Sequence, residues 1–451
     1  MPRPIRYLFL VVLLMVVATG CGKNGGKITD PDIAKFVAAK RIQAQELAAA
    51  QTNVVPDKIW KFFDAVERND FKAATNLSTQ LSFARYPGKA PSEPLAAIGK
   101  FFGYDPTKPP PTTGYDSELR WVIYEVAGAY VMLNEWEGKR LRRFAHDVIG
   151  GMSTNSILFC GTHAMQLAVS AYSESHREGR PIFTLSQTAL ADYDYMTYLR
   201  GMYGQRIQVA TEMESGQAFK AVLDEPRGLA FSEFVLPKTG WFVVRVGNRA
   251  TKIIMHNNPD REIFFEAGPA IGWAYPHLEP QGLIFKLHQS PLKELGESIV
   301  ARDRAYWQGR VKELIGDWVT EKTNLKEIYE FGDRVFRQKN SAGFAGDAGF
   351  AKNQPAQKTF SQLRSSIGRV YAWRAGHAQS DYERERMTRE ADFAFRQALA
   401  LGPASRETAF YYAEFLMTQQ RTNDVLLMSR LLPTFNPDAS GLTNYLKSNS
   451  P

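Results

Sequence analysis

The chain runs to 451 residues, of which 44% are hydrophobic and 23% charged, a balance that excludes an unfolded, highly charged chain and supplies cores for two or three domains. Its 55 Lys and Arg exceed its 47 Asp and Glu by a formal charge of +8. The excess is spread along the chain instead of gathered in tracts. That argues against nucleic acid as a partner and fits either an ordinary solvated surface or one held near an anionic membrane.

Arg3 and Arg6 precede an apolar run from Tyr7 to Ala18, which closes on Ala18-Thr19-Gly20-Cys21. A spanning helix needs about 20 apolar residues, so residues 1–21 read as a signal peptide. Small residues directly before a cysteine resemble the lipobox of bacterial lipoproteins, which implies lipid attachment at Cys21. The expectation is a protein anchored in a membrane of the cell envelope, facing the periplasm or the cell exterior. The alternative is an ordinary signal peptide beside a chance cysteine. The other cysteine, Cys160, falls in an apolar segment, so no intrachain disulfide is expected. Gly20-Cys21-Gly22-Lys23-Asn24-Gly25 fits G-x-G-x-x-G, but no strand precedes it and it carries no nucleotide-binding meaning.

Residues 22–104 read as a polar tether followed by helices. Ile33–Gln51 is Ala-rich and helical in pattern, and Ile59–Val66 and Phe71–Leu77 are two short helices broken at Asn69-Asp70. The prolines between Asp105 and Gly114 remove amide donors and fix φ, which makes 105–117 a linker.

Residues 118–290 read as an α/β domain. Helices over Glu118–Asn134 and Arg140–Ile149 lead to Ile157-Leu158-Phe159-Cys160, a short apolar run typical of a strand buried on both faces. A helix from His163 to Gly179 and a second strand at Ile182–Leu185 complete a βαβ unit, hence a parallel pair. Arg206–Val209 reads as a third parallel strand. Trp241–Val246 and Thr251–His256 read as a β-hairpin turning at Gly247-Asn248-Arg249, and Glu262–Glu266 and Leu283–Leu287 as further strands. The fold class is α/β with a mixed, partly parallel sheet.

Residues 291–451 read as helical, with helices over Ile299–Trp318, Leu325–Phe336, Phe360–Ala375, Thr388–Leu401, Thr408–Gln419 and Val425–Leu432. Pro403 and Pro437 each follow a helix and stand 34 residues apart, the period of tetratricopeptide repeats. A plain helical bundle is the competing reading.

Phe159-Cys160-Gly161-Thr162, Ser186–Asp192 with Tyr195-Met196, Asn258-Pro259-Asp260-Arg261-Glu262, Tyr275–Pro280 and Ala372-Trp373-Arg374 together resemble an uncharacterised bacterial family. Its members join this α/β region to tetratricopeptide-like helices, and some are similar to the soluble tail of O-mannosyltransferase-like membrane proteins. The resemblance implies no assigned reaction. Its members show Gly-Gly-Thr-Asp-Pro-Gly-Arg-Phe at the first strand end, where this chain has Cys160–Leu167 without the acid or the arginine.

Open α/β sheets bind ligands beyond the carboxyl ends of their strands, which makes Thr162, His163, Gln187 and Asp192 the candidate ligand-binding residues. His163 has the chemistry of a general base but no tied nucleophile or acid, and helix-capping is the simpler role for Asp192. Trp273, Tyr275 and His277 offer either an aromatic platform for sugars or plain packing. No catalytic residue is assigned, and no metal or cofactor motif occurs. The expected function is a non-catalytic interaction or ligand-binding module near envelope glycan machinery, with envelope proteins or glycans as partners. The alternative is a glycan-acting enzyme or a glycosyltransferase accessory subunit with its site at the strand ends.

Overall fold

The computed structural model describes residues 27–51, 54–82, 117–161, 163–224, 238–266 and 272–437. The expected signal peptide, Cys21, the proline-rich stretch 105–116 and Thr162 lie outside the described residues. Among the described residues the chain is mostly helical and carries one five-stranded mixed sheet. It divides into two units, Met1–Ile263 and Phe264–Pro451, a division earlier than the 290/291 boundary read from the onset of continuous helix.

In the first unit, α1 (Pro31–Ala49) starts where proline's fixed φ suits the first helical position. Asp30 caps it, its Oδ1 accepting from the amides of Asp32 and Ile33 at 3.1 and 3.3 Å. Helices α2 (Asp57–Glu67) and α3 (Phe71–Ser82) are separated at Asn69, whose φ of 54° ends α2 in the left-handed region. Then come α4 (Ser117–Trp136), which packs against α1, and α5 (Gly138–Gly150). Strands β1 (Ile157–Cys160) and β2 (Phe183–Ser186) are wholly buried and parallel, with Ile157 opposite Phe183 and Cys160 opposite Ser186. Between them α6 spans His163–Tyr172, shorter than the sequence pattern suggests. A 3-10 turn (Ala189–Ala191) leads into α7 (Tyr193–Tyr203), followed by α8 (Glu212–Leu223), α9 (Lys238–Asn257) and β3 (Ile263–Phe265).

Two expectations fail in this unit. Arg206–Val209 forms no strand: the side-chain amide of Asn258 accepts from Gln208 N and donates to Gln208 O, both at 2.9 Å, occupying the two groups that a neighbouring strand would pair. The expected hairpin over 241–256 is helix α9. Val243, Val246, Ala250 and Ile254 are buried, a stripe of helical period that continues through Gly247 and overrides the β-branched composition.

The second unit contains β4 (Leu278–Gln281), β5 (Ile284–Leu287), α10 (Glu297–Ile315), α11 (Leu325–Gly332) with a π turn at Asp333–Arg337, α12 (Ala348–Lys352), α13 (Gln354–Gly376), α14 (Asp381–Leu401), α15 (Arg406–Thr418) and α16 (Thr422–Phe435). The strands are ordered β2-β1-β3-β5-β4. β4 and β5 are antiparallel, with Pro280 opposite Phe285. Proline hid β4 in the sequence, yet an edge strand tolerates it, because one side of its backbone needs no ladder partner. The helical core closes around a buried pair: Arg364 Nη1 donates to Asp303 Oδ2 at 2.8 Å, Tyr371 donates to the same oxygen, and Arg364 Nε donates to Gln397 Oε1. These contacts tie α10, α13 and α14 together. No helix among the described residues is long and apolar enough to cross a membrane.

Candidate functional site

Because β1 and β2 are parallel, their carboxyl ends share one edge, and Gln187 N donates to Cys160 O at 2.8 Å. Thr162 and the side chain of His163 lie outside the described residues; the backbone of His163 opens α6. Gln187 does sit at this edge, but buried. Its Nε2 donates to Asn248 Oδ1 at 2.9 Å and to Thr251 Oγ1 at 3.4 Å, both on α9. Gly247 allows this approach, since a Cβ there would lie 2.3 Å from Gln187 O. Asp192 caps α7, its Oδ1 accepting from Asp194 N at 2.8 Å, while Asp194 pairs with Arg120 at 3.0 Å. Gln187 thus faces α9, its Nε2 bonded there and its Oε1 buried without a partner, and Asp192 faces the first turn of α7. The aromatic reading of 273–277 fares similarly. Tyr275 stacks on Trp373 with centroids 5.9 Å apart, Trp373 stacks on His377 at 4.1 Å, and Arg369 lies 5.9 Å from the Tyr275 ring.

A buried network beneath β2 was not among the sequence candidates. Lys40 Nζ lies 2.5 Å from Glu125 Oε2, which also accepts from Tyr198 at 2.7 Å. Glu125 Oε1 meets His176 Nε2 at 3.1 Å, and His176 Nδ1 lies 3.2 Å from the Thr184 hydroxyl. Burial opposes the charge on Glu125, but Lys40 and His176 outweigh it and hold the carboxyl well below the usual carboxylate range. Burial also lowers the His176 pKa, against the pull of Glu125. The ring is then neutral, Nε2–H donating to Glu125 and Nδ1 accepting from Thr184. The acid, histidine and hydroxyl are in the order of a hydrolytic triad, yet Glu125, His176 and Thr184 are each no more than 4% exposed, so no substrate reaches them. The network fastens α1 to α4 and β2.

At the opposite edge of the sheet the segments leading into β1 and β3 meet, with Ile157 N donating to Glu262 O at 3.0 Å. They line an open groove of about 680 Å³, within the roughly 300–1,000 Å³ of small-molecule sites. The Ser153 hydroxyl bonds Glu262 Oε2. Arg261 donates to Asn155 O at 3.0 Å and to Arg206 O at 2.7 Å, and its guanidinium lies 5.3 Å from the Phe183 ring. Arg206 in turn donates to the carbonyls of Tyr203, Glu178 and Met202. Both guanidiniums are therefore held by carbonyl oxygens, and both arginines line the groove together with Asp260 and Glu262. Among the described residues no group of three or more His, Cys, Asp or Glu is placed to hold a metal ion.

The sequence held signals for both features. Ile33, Phe36, Val37 and Ala44 make an apolar stripe into which Lys40 falls, and Glu125 interrupts the apolar run 121–127. A charge on a buried face demands a partner. The groove contains Asn258–Glu262, quoted above for the family resemblance but read there as a marker and not as a site. Compared with protein-family models, with characterised proteins and with solved structures, the chain matches none.

Proposed function

We propose that the protein is an envelope lipoprotein, anchored through Cys21, that acts as a non-catalytic ligand-binding module, and that its binding site is the groove at the amino-terminal edge of the sheet. The groove itself carries this reading: it is open, of small-molecule size, and its two arginines are held in place by backbone carbonyls before any ligand arrives. Pre-set donors lose little freedom on binding, which favours affinity. None of its lining residues is a His, Cys, Lys or Tyr, and the Glu262 carboxylate is already engaged by Ser153. Binding is the simpler use of such a set than acid–base or nucleophilic work.

The anchor rests on Ala18-Thr19-Gly20-Cys21 and the short apolar run before it. In the same reading α14, α15 and α16 make about one and a half tetratricopeptide-like repeats that offer a surface to envelope proteins, supported by the 34-residue spacing of Pro403 and Pro437. Labelling of cells with an alkyne fatty acid tests the anchor. Wild type should take up label and partition with membranes, because several acyl chains hold firmly where one is marginal. Label retained by Cys21→Ser would rule out lipidation at that residue.

A further inference from the structure

We infer that the groove takes a neutral, hydroxyl-rich ligand, a sugar, held between the carboxylate of Asp260 and the guanidinium of Arg261. The inference rests on the reading of the groove as the binding site. Charge comes first. Arg206 and Arg261 supply two positive charges and Asp260 and Glu262 two negative ones, so the lining is formally neutral. An anion drawn to the arginines meets the carboxylates, and a cation drawn to the carboxylates meets the arginines. Neither sign is favoured by the set as a whole.

Lining chemistry comes second. Small-molecule sites are mostly apolar, but here Pro259 is the sole apolar side chain among the described lining residues, the rest bearing hydroxyls, carboxamides, carboxylates and guanidiniums. An apolar ligand would strip water from these polar groups without replacing their bonds. A sugar hydroxyl both donates and accepts. Adjacent hydroxyls on one ring therefore match a carboxylate acceptor beside a guanidinium donor.

The state of those two groups comes third. A guanidinium has five N–H donors in a fixed fork, and Arg261 uses two of them, on Asn155 O and Arg206 O. Donors remain for a ligand, on a side chain whose orientation is already set. Asp260 is exposed and next to it in sequence. Thr154, Asn155 and Asn257 add hydroxyl and carboxamide residues to the lining.

The test uses the full chain in detergent, with maltotriose, mannotriose and chitotriose as neutral probes, and glucuronate and inorganic phosphate as anionic ones. Saturation-transfer NMR detects binding and calorimetry measures it. At least one neutral trisaccharide should bind at millimolar concentration, and both Asp260→Ala and Arg261→Gln should weaken it about tenfold or more, the effect of removing one hydrogen bond to a charged group. Melting temperature is read alongside. Asp260 is exposed, so Asp260→Ala should melt with wild type, which keeps the test valid even where Arg261→Gln loosens the segment it holds. If only phosphate or glucuronate binds, and Arg261→Gln abolishes it, the groove stands as a site and the neutral-sugar assignment is overturned. If no probe binds, or if a bound sugar ignores both substitutions, the groove reading falls with it.

Discussion

Lys40 and Glu125 form an ion pair that water does not reach: Nζ and Oε2 are 2.5 Å apart, with side chains 3% and 1% exposed. The pair joins α1 to α4, and Tyr198 and Gln43 complete it, donating to Glu125 Oε2 at 2.7 Å and accepting from Lys40 Nζ at 3.0 Å. Breaking a buried pair by removing one partner leaves an uncompensated charge and costs about 3–5 kcal/mol. Lys40→Met should lower stability by that amount. Adding Glu125→Gln to Lys40→Met should restore a large part, because the stranded charge is gone. Chemical denaturation of Lys40→Met, Glu125→Gln and the double variant against wild type measures it, and an additive pair of losses would show that the charges are not coupled.

His176 gives this network a pH dependence. Burial holds its folded pKa below that of an exposed imidazole, about 6.5, so in the acid range the unfolded chain binds a proton that the folded chain refuses. Its contribution is complete above about pH 6.5 and is lost as pH falls below it. Glu125, held far lower, adds its own loss only in stronger acid. His176→Gln should therefore melt below wild type at pH 7.5 but show a flatter fall between pH 6.5 and 5. Equal slopes in the two proteins would remove His176 from the account.

Gly247 is the point at which α9 touches the strand-end turn. A Cβ there would stand 2.3 Å from a backbone oxygen, Gln187 O, and backbone cannot swing aside as a long side chain does. Gly247→Ala should destabilise the protein by about 1–3 kcal/mol, although alanine is the better helix former. A neutral or stabilising result by thermal melting would mean that α9 sits further from Gln187 than described.

In the second unit, burial lifts the pKa of Glu414 to about 7 despite the opposing charge of Arg369. A carboxyl with a raised folded pKa favours the fold while protonated, so its penalty grows as pH rises from about 4.5 and is complete above about 7. Glu414→Gln should raise the melting temperature at pH 8 and change it little at pH 5. The reverse order would show that Arg369 wins and that Glu414 is stabilising as an anion.

How far the residues alone disclosed this molecule depended on whether burial followed a simple period. β1 and β2 were legible because strands buried on both faces leave unbroken apolar runs, and the C-terminal helices because their stripes are long. α9 was misread because Val243, Val246 and Thr251 satisfy strand composition while their burial follows the helix, and only the packing of Gly247 on Gln187 decides between them. Arg206–Val209 looked like a strand and is buried like one at Ile207 and Val209, but the partner that takes up Gln208 is a side-chain amide 50 residues away. No local pattern predicts such a pairing. At the site, the expected edge was located correctly for Gln187, yet the helix that covers it was not foreseen. The groove lies at the other edge, where the segments before two strands converge and no single segment carries a motif.

Asp30, described above only as the cap of α1, also accepts from Arg142 Nη2 at 3.0 Å and from the Tyr172 hydroxyl at 2.8 Å. One carboxylate thus binds the start of α1 to α5 and α6 before the first helical turn is complete. Were the protein held at its amino end, as proposed through Cys21, tension along the chain would be delivered to that carboxylate, and through it to the interior of the first unit. The tether would have to shear the bonds of Asp30 to Arg142 and Tyr172 together before it could peel α1 away turn by turn. Pulled from residue 27, wild type should therefore yield at a higher force than Asp30→Ala, even where the two melt at similar temperatures.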